Sequence, residues 1–218
     1  MKRILCSQTL AMLSLICTLA LCAAGRAQAA GFVVDHTSAT LTLIPADIVP
    51  QAAAVKIVLS HASVGGNIID GLDALQTADS KYNRANFTFD NRGNPGWQTK
   101  IDTFASFVAA HTADYEVFST KLCFIDADAD WAYYRDAMLQ LENNYPTKKF
   151  VWWTMPITTS DDTDNDTRQA FNNSVRAYCK ANGKILFDIA DIESHDTDGT
   201  ARTGTGGREL MVESYSSD

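Results

Sequence analysis

Residues 55–75 read VKIVLSHASVGGNIIDGLDAL, and this stretch decides the fold. The run 55–60 is apolar except for Lys56 and carries no alternation, the pattern of a strand covered on both faces. A glycine pair interrupts it. Beyond, in 67–79, Ile68, Ile69, Leu72 and Leu75 share one helical face. The same unit recurs down the chain. Short runs at 86–90 (NFTFD), 115–125 (YEVFSTKLCFI), 149–154 (KFVWWT) and 184–189 (KILFDI) alternate with helix-like segments at 97–110, 130–144 and 163–182. Gly183 is a natural stop for the last of these. Residues 30–54 read as an irregular lead-in broken by Pro45 and Pro50. The expectation is an α/β fold, a three-layer α/β/α sandwich of flavodoxin-like type around a mainly parallel sheet of about five strands. Chemistry in such sheets gathers at the carboxyl ends of the strands.

The segments just after each run are therefore the candidate site. After the first, His61-Ala62-Ser63 leads into Gly65, Gly66 and Asn67. Ser63 in that turn would expose its hydroxyl beside the N–H groups and positive dipole end of a helix, a setting for a nucleophile if a base takes its proton. Equally, Ser63 or Asn67 could simply cap the helix. After the second run, DNRGNPGW (90–97) offers a glycine-rich loop whose N–H groups suit an oxyanion, or an ordinary turn. After the third, Asp126, Asp128 and Asp130 alternate as in a calcium loop. Trp131 and Ala137 occupy the positions where an EF-hand needs glycine and a bidentate acid, so a solvated helix start is the better reading. The stretch 161–166 reads as an exposed loop and cap. Asp188, Asp191, Glu193 and His195 follow the fifth run without zinc-site spacing. No metal or cofactor is expected.

The chain has 218 residues and a net charge of −8, with no basic patch, which disfavours nucleic acid and anionic membrane surfaces as partners. Lys2 and Arg3, an apolar run at 9–22 and Ala27-Gln28-Ala29 form a signal peptide pattern, with cleavage near Ala29 and an α/β domain over 30–218. Without Lys2, Arg3 and Arg26 the balance is 15 basic against 26 acidic residues. The expected location is secreted or periplasmic, off the membrane after cleavage. Of five cysteines only Cys123 and Cys179 then remain, as a disulfide or as two buried thiols.

In order, KIVLSHASVGGNIIDGL, DNRGNPGW, VWWTMPITT and ILFDIADIESHD resemble divergent bacterial members of the SGNH (GDSL-like) hydrolase superfamily over about residues 40–218. The Gly-Asp-Ser block is replaced by His61-Ala62-Ser63. The resemblance implies a serine esterase. Ser63 would be the nucleophile, with its own N–H and that of Gly96 facing the oxyanion. The stretch Lys121–Asp126 lacks the family's asparagine, and Asn67 is the substitute donor. Asp218 would be the triad acid, with the histidine beyond the last residue of a C-terminally truncated chain; His195 and His61 are the alternative bases. The implied substrate is a small-molecule or carbohydrate ester, with a carbohydrate O-acetyl group preferred given Trp97, Trp131, Trp152 and Trp153. The alternative is a non-catalytic binding protein of the same fold without a complete triad.

Overall fold

The computed structural model describes residues 31–216. Six strands form one sheet: β1 (Val33–Val34), β2 (Ile57–His61), β3 (Phe87–Asn91), β4 (Val117–Thr120), β5 (Lys149–Trp153) and β6 (Ile185–Phe187). Their order is β1-β6-β5-β4-β2-β3, and every pairing is parallel. The helices are α1 (Ile48–Ala54), α2 (Gly65–Ala78), α3 (Trp97–His111), α4 (Trp131–Asn144), α5 (Thr163–Ala181) and α6 (Ile189–Ser194).

Side chains alternate across the pleat and build two cores. Ile57, Leu59, Val117, Val151, Trp153 and Phe187 face α1, α2 and α6. Val58, Phe118, Phe150, Trp152 and Leu186 face α3, α4 and α5. This is the three-layer arrangement that the alternating runs predict. It also explains the absence of period-two patterning in the central strands, because β2 and β4 are buried along their whole length.

Two expectations need correction. The sheet has six strands rather than about five, since Val33–Val34 pairs with Leu186 and Phe187. The lead-in is not irregular either, for it contains α1. Pro50 is the third residue of that helix, within the first turn, where no N–H is needed for an intrahelical bond.

The order of strands fixes where a ligand belongs. β2 sends its connection outward to β3, whereas the chain returns to place β4 on the other side of β2. The crevice beyond the carboxyl ends of β2 and β4 is the topological switch point.

Candidate active site

Ser63 is the middle one of the three residues, Ala62 to Val64, that join β2 to the start of α2, and it is exposed while Ala62 is buried. Its φ is +52°, the only positive value among the described residues other than glycine. Such a conformation costs an L-residue about 1–2 kcal/mol. Glycine would avoid that cost, so Ser63 is a candidate for function rather than for backbone fit. The turn is tight: Gly65 and Gly66 N–H donate to the carbonyls of Ala62 (3.2 Å) and Ser63 (2.6 Å). Among the described residues nothing accepts from the N–H of Ser63 or Val64, and the Ser63 hydroxyl has no partner. Ser63 is therefore not a side-chain cap for α2, which has no such cap.

His61, the last residue of β2, is buried beneath this turn, with its ring edge-on to Phe89. Gly65 exists because of that ring: a Cβ there would sit 2.3 Å from His61 Nδ1. Gly65→Ala should destabilise the fold by about 1–3 kcal/mol through overpacking. Gly66→Ala, with open space around the new methyl, should be neutral or stabilising. Thermal unfolding of the two variants checks this pair.

Nδ1 of His61 is buried without a hydrogen-bond partner. Burial, then the charges of Lys121 and Arg92, push its pKa below the ordinary 6.5; Asp90 opposes them weakly. The unfolded chain therefore takes up a proton here first. The contribution of this group to stability is complete above about pH 6.5 and is lost as pH falls below it. Urea midpoints measured at pH 7.5 and pH 5 should fall less in His61→Gln than in the parent.

Gly96 arrives from the next strand. It precedes the first residue of α3 at the end of the loop that follows β3, is exposed, and its N–H has no acceptor among the described residues. It lines an open cleft of about 460 Å³ with Asn94, Pro95, Trp97, Ile125 and Asp128. Asn67 is exposed on the first turn of α2, and its side chain makes no hydrogen bond among the described residues.

Below the cleft the end of β4 is held by charge. Lys100 on α3 is fully buried and gives Asp126 two contacts, 2.7 and 2.5 Å. Asp126 Oδ2 also accepts from Cys123 N–H at 2.7 Å. Asp126 is therefore not part of a solvated helix start, and its place in a calcium loop is taken by an ammonium. Asp130 does cap α4, accepting from Tyr133 N–H at 2.6 Å. In the other acidic stretch Asp162 caps α5, and Asp161 and Asp166 hold Arg208.

His195 belongs elsewhere. It follows α6, beyond β6, three strand places from β2 and so about 14 Å along the sheet. Its ring stacks on His36 at 3.6 Å with 8° between planes. Nδ1 of His195 lies 2.7 Å from the Asp191 carbonyl oxygen, while the Asp191 carboxylate takes His36 Nδ1 at 2.5 Å. The cluster ties the lead-in to α6. His36, Asp191 and His195 would supply three metal ligands. With the rings parallel, however, an ion about 2.1 Å from both nitrogens would lie far outside both ring planes. The observed rotamers do not fit one. Asp188 is likewise structural, bound by both Arg176 nitrogens and by Thr154 Oγ1.

The structure thus sets Ser63, His61 and Asn67 at the carboxyl end of β2 and Gly96 in the loop after its neighbour β3, with none of the first three lining the cleft at Gly96, and leaves His195 apart. Asp218 and residues 1–29, which the sequence reads as a signal peptide, lie outside the described residues. Cys123 and Cys179 are separate buried thiols, with Cys179 pushed up to about 12 by burial. Trp152 and Trp153 are sealed in the two cores and are no sugar platform, whereas Trp97 lines the cleft. Sequence reasoning missed Arg92 and Lys121. The available signal was Lys121 itself, a charge inside the apolar run 115–125 at a strand end.

No family model and no curated protein matches the chain. Among solved structures it is similar to "a putative lipolytic protein of G-D-S-L family from Desulfitobacterium hafniense DCB-2". The two share 13% identity at a TM-score of 0.46, over 73% of this chain and 93% of that one.

Proposed function

We propose that the chain is a divergent SGNH-type serine esterase, exported by its N-terminal signal, that hydrolyses an acyl ester through an acyl-enzyme on Ser63. The observation that carries this reading is the exposed Ser63 hydroxyl at φ +52° on the switch-point turn. The unengaged N–H groups of Ser63 and Gly96 are the oxyanion donors, with Asn67 as the third. In the first half-reaction Ser63 Oγ adds to the ester carbonyl as its proton passes to a base. The C–O bond to the alcohol then breaks and the alcohol leaves protonated. Water repeats the sequence on the acyl-enzyme and releases the acid. Asp218 keeps its proposed role as the acid behind that base. Trp97 on the cleft suits an acetylated sugar as one substrate.

A second reading, a binding protein of this fold without turnover, is favoured by one observation: among the described residues no side chain accepts a hydrogen bond from Ser63 Oγ. Stopped-flow release of p-nitrophenol from p-nitrophenyl acetate separates the two. The esterase reading expects a burst equal to the enzyme concentration followed by a steady rate. Neither burst nor steady release supports the binding reading.

A further inference from the structure

Beside Ser63, three nitrogen-bearing side chains converge from three neighbouring strand ends with more donors than acceptors. His61 ends β2. Arg92 follows β3, its N–H donating to the His61 carbonyl at 3.2 Å. Lys121 follows β4, one residue after Thr120, which is paired in register with Ser60. Arg92 reaches across the end of β2 and donates through Nη2 to the Lys121 carbonyl. Its Nη1 donates to the Gly93 carbonyl at 3.1 Å, and its Nε is buried without an acceptor. Lys121 is 0% exposed, and the contact of its ammonium is the Cys123 thiol at 3.8 Å. His61 Nδ1, like Arg92 Nε, is a buried atom without a partner.

Among the described residues no carboxylate is hydrogen-bonded to the His61 ring, to the Arg92 guanidinium or to the Lys121 ammonium. Asp90 accepts from Ser60 Oγ at 2.9 Å, Asp126 is occupied by Lys100, and Glu193 accepts from Ile157 N–H at 2.9 Å. Asp90 and Glu193 reach the cluster through space. An ammonium has three N–H bonds to satisfy, and a buried donor left without an acceptor loses its hydration with nothing in return. Two such atoms and an ammonium met by a thiol, at one sheet edge next to the unengaged N–H groups of Ser63 and Val64, are the complement of an oxyanion.

We propose that Arg92, Lys121 and His61 form an anion subsite at the switch point, and that the ester opened by Ser63 carries a carboxylate or phosphate group that docks there. The second clause rests on the esterase reading; the first does not. Two measurements on the full chain test it. Calorimetric titration with inorganic phosphate, at constant ionic strength, should show one site, weakened at least about tenfold in Lys121→Met and in Arg92→Gln. Melting temperatures tell a folded variant from a lost one, and Lys121→Met, which removes a buried cation that has no hydrogen-bonded carboxylate among the described residues, should melt no lower than the parent. Absence of phosphate binding by the parent, or equal binding by both folded variants, overturns the subsite. In the second measurement p-nitrophenyl hemisuccinate should exceed p-nitrophenyl butyrate in kcat/KM by about tenfold or more, and Lys121→Met should erase that ratio. Hydrolysis of both esters without preference overturns the substrate assignment and leaves Ser63 as nucleophile. Phosphate binding with no hydrolysis of either ester sustains the subsite and defeats the esterase reading.

Discussion

Ser63→Ala should abolish ester turnover, lowering kcat/KM by about 10³-fold or more, while the melting temperature stays where it was. The hydroxyl is exposed and bonds to nothing described, so its removal takes no interaction from the fold. Alanine tolerates φ +52° no better than serine does, so the turn is equally strained in both. Ser63→Gly separates strain from chemistry. It should be as inactive as the alanine variant yet more stable by about 1 kcal/mol, because glycine enters the left-handed region freely. That corresponds to a rise of about 2–4 °C for a chain of this length. A serine kept for packing or capping would give the opposite pairing, lost stability with activity retained. Steady-state kinetics and scanning calorimetry on the three proteins decide between them.

Asp126→Asn should cost about 3–5 kcal/mol, the largest stability loss expected from any one polar substitution here. The amide leaves the fully buried Lys100 ammonium without its counter-charge and replaces one acceptor of the Cys123 N–H with a group that can turn its NH₂ toward it. The loss is a breakage effect rather than the worth of the pair. Replacing both partners, Lys100→Met with Asp126→Leu, should recover much of it, since two apolar side chains need no pairing. Guanidinium unfolding curves measure both. The double variant also frees the loop after β4, so the cleft lined by Gly96, Trp97 and Ile125 should lose ester affinity even where stability returns.

The parts of the fold that the sequence discloses are those where local pattern and tertiary role agree. Runs such as KFVWW have no polar alternation because both faces of β5 are covered. The helix faces carrying Phe104, Met138 and Phe171 lie on the core as their spacing predicts. β1 escapes because two valines have no period. α1 escapes because Pro50 reads as a breaker unless its place in the first turn is known. α6 is six residues of mixed polarity, bounded by Asp188 and His195, and its hydrophobic side chains look like a continuation of the run before it.

The site divides in the same way. Ser63, His61 and Gly96 are legible because strand order alone puts residues after β2 and β3 at one edge. The charges that furnish the edge are not. Lys100 sits at a helical position that reads as solvent-facing and is buried by a partner 26 residues away. Arg92 and Lys121 come together only once β3 and β4 flank β2, which no spacing announces. His195 reads as a free base from its neighbours in sequence, and it is His36, from the opposite end of the chain, that occupies its ring.

The most direct test of the central claim is labelling by a fluorophosphonate, which phosphonylates a serine only where its oxygen is activated as a nucleophile. Digestion and mass spectrometry after treatment should find one adduct per molecule on the peptide containing Ser63, and none in Ser63→Ala. An unlabelled protein, or an adduct confined to a different residue, would contradict the account.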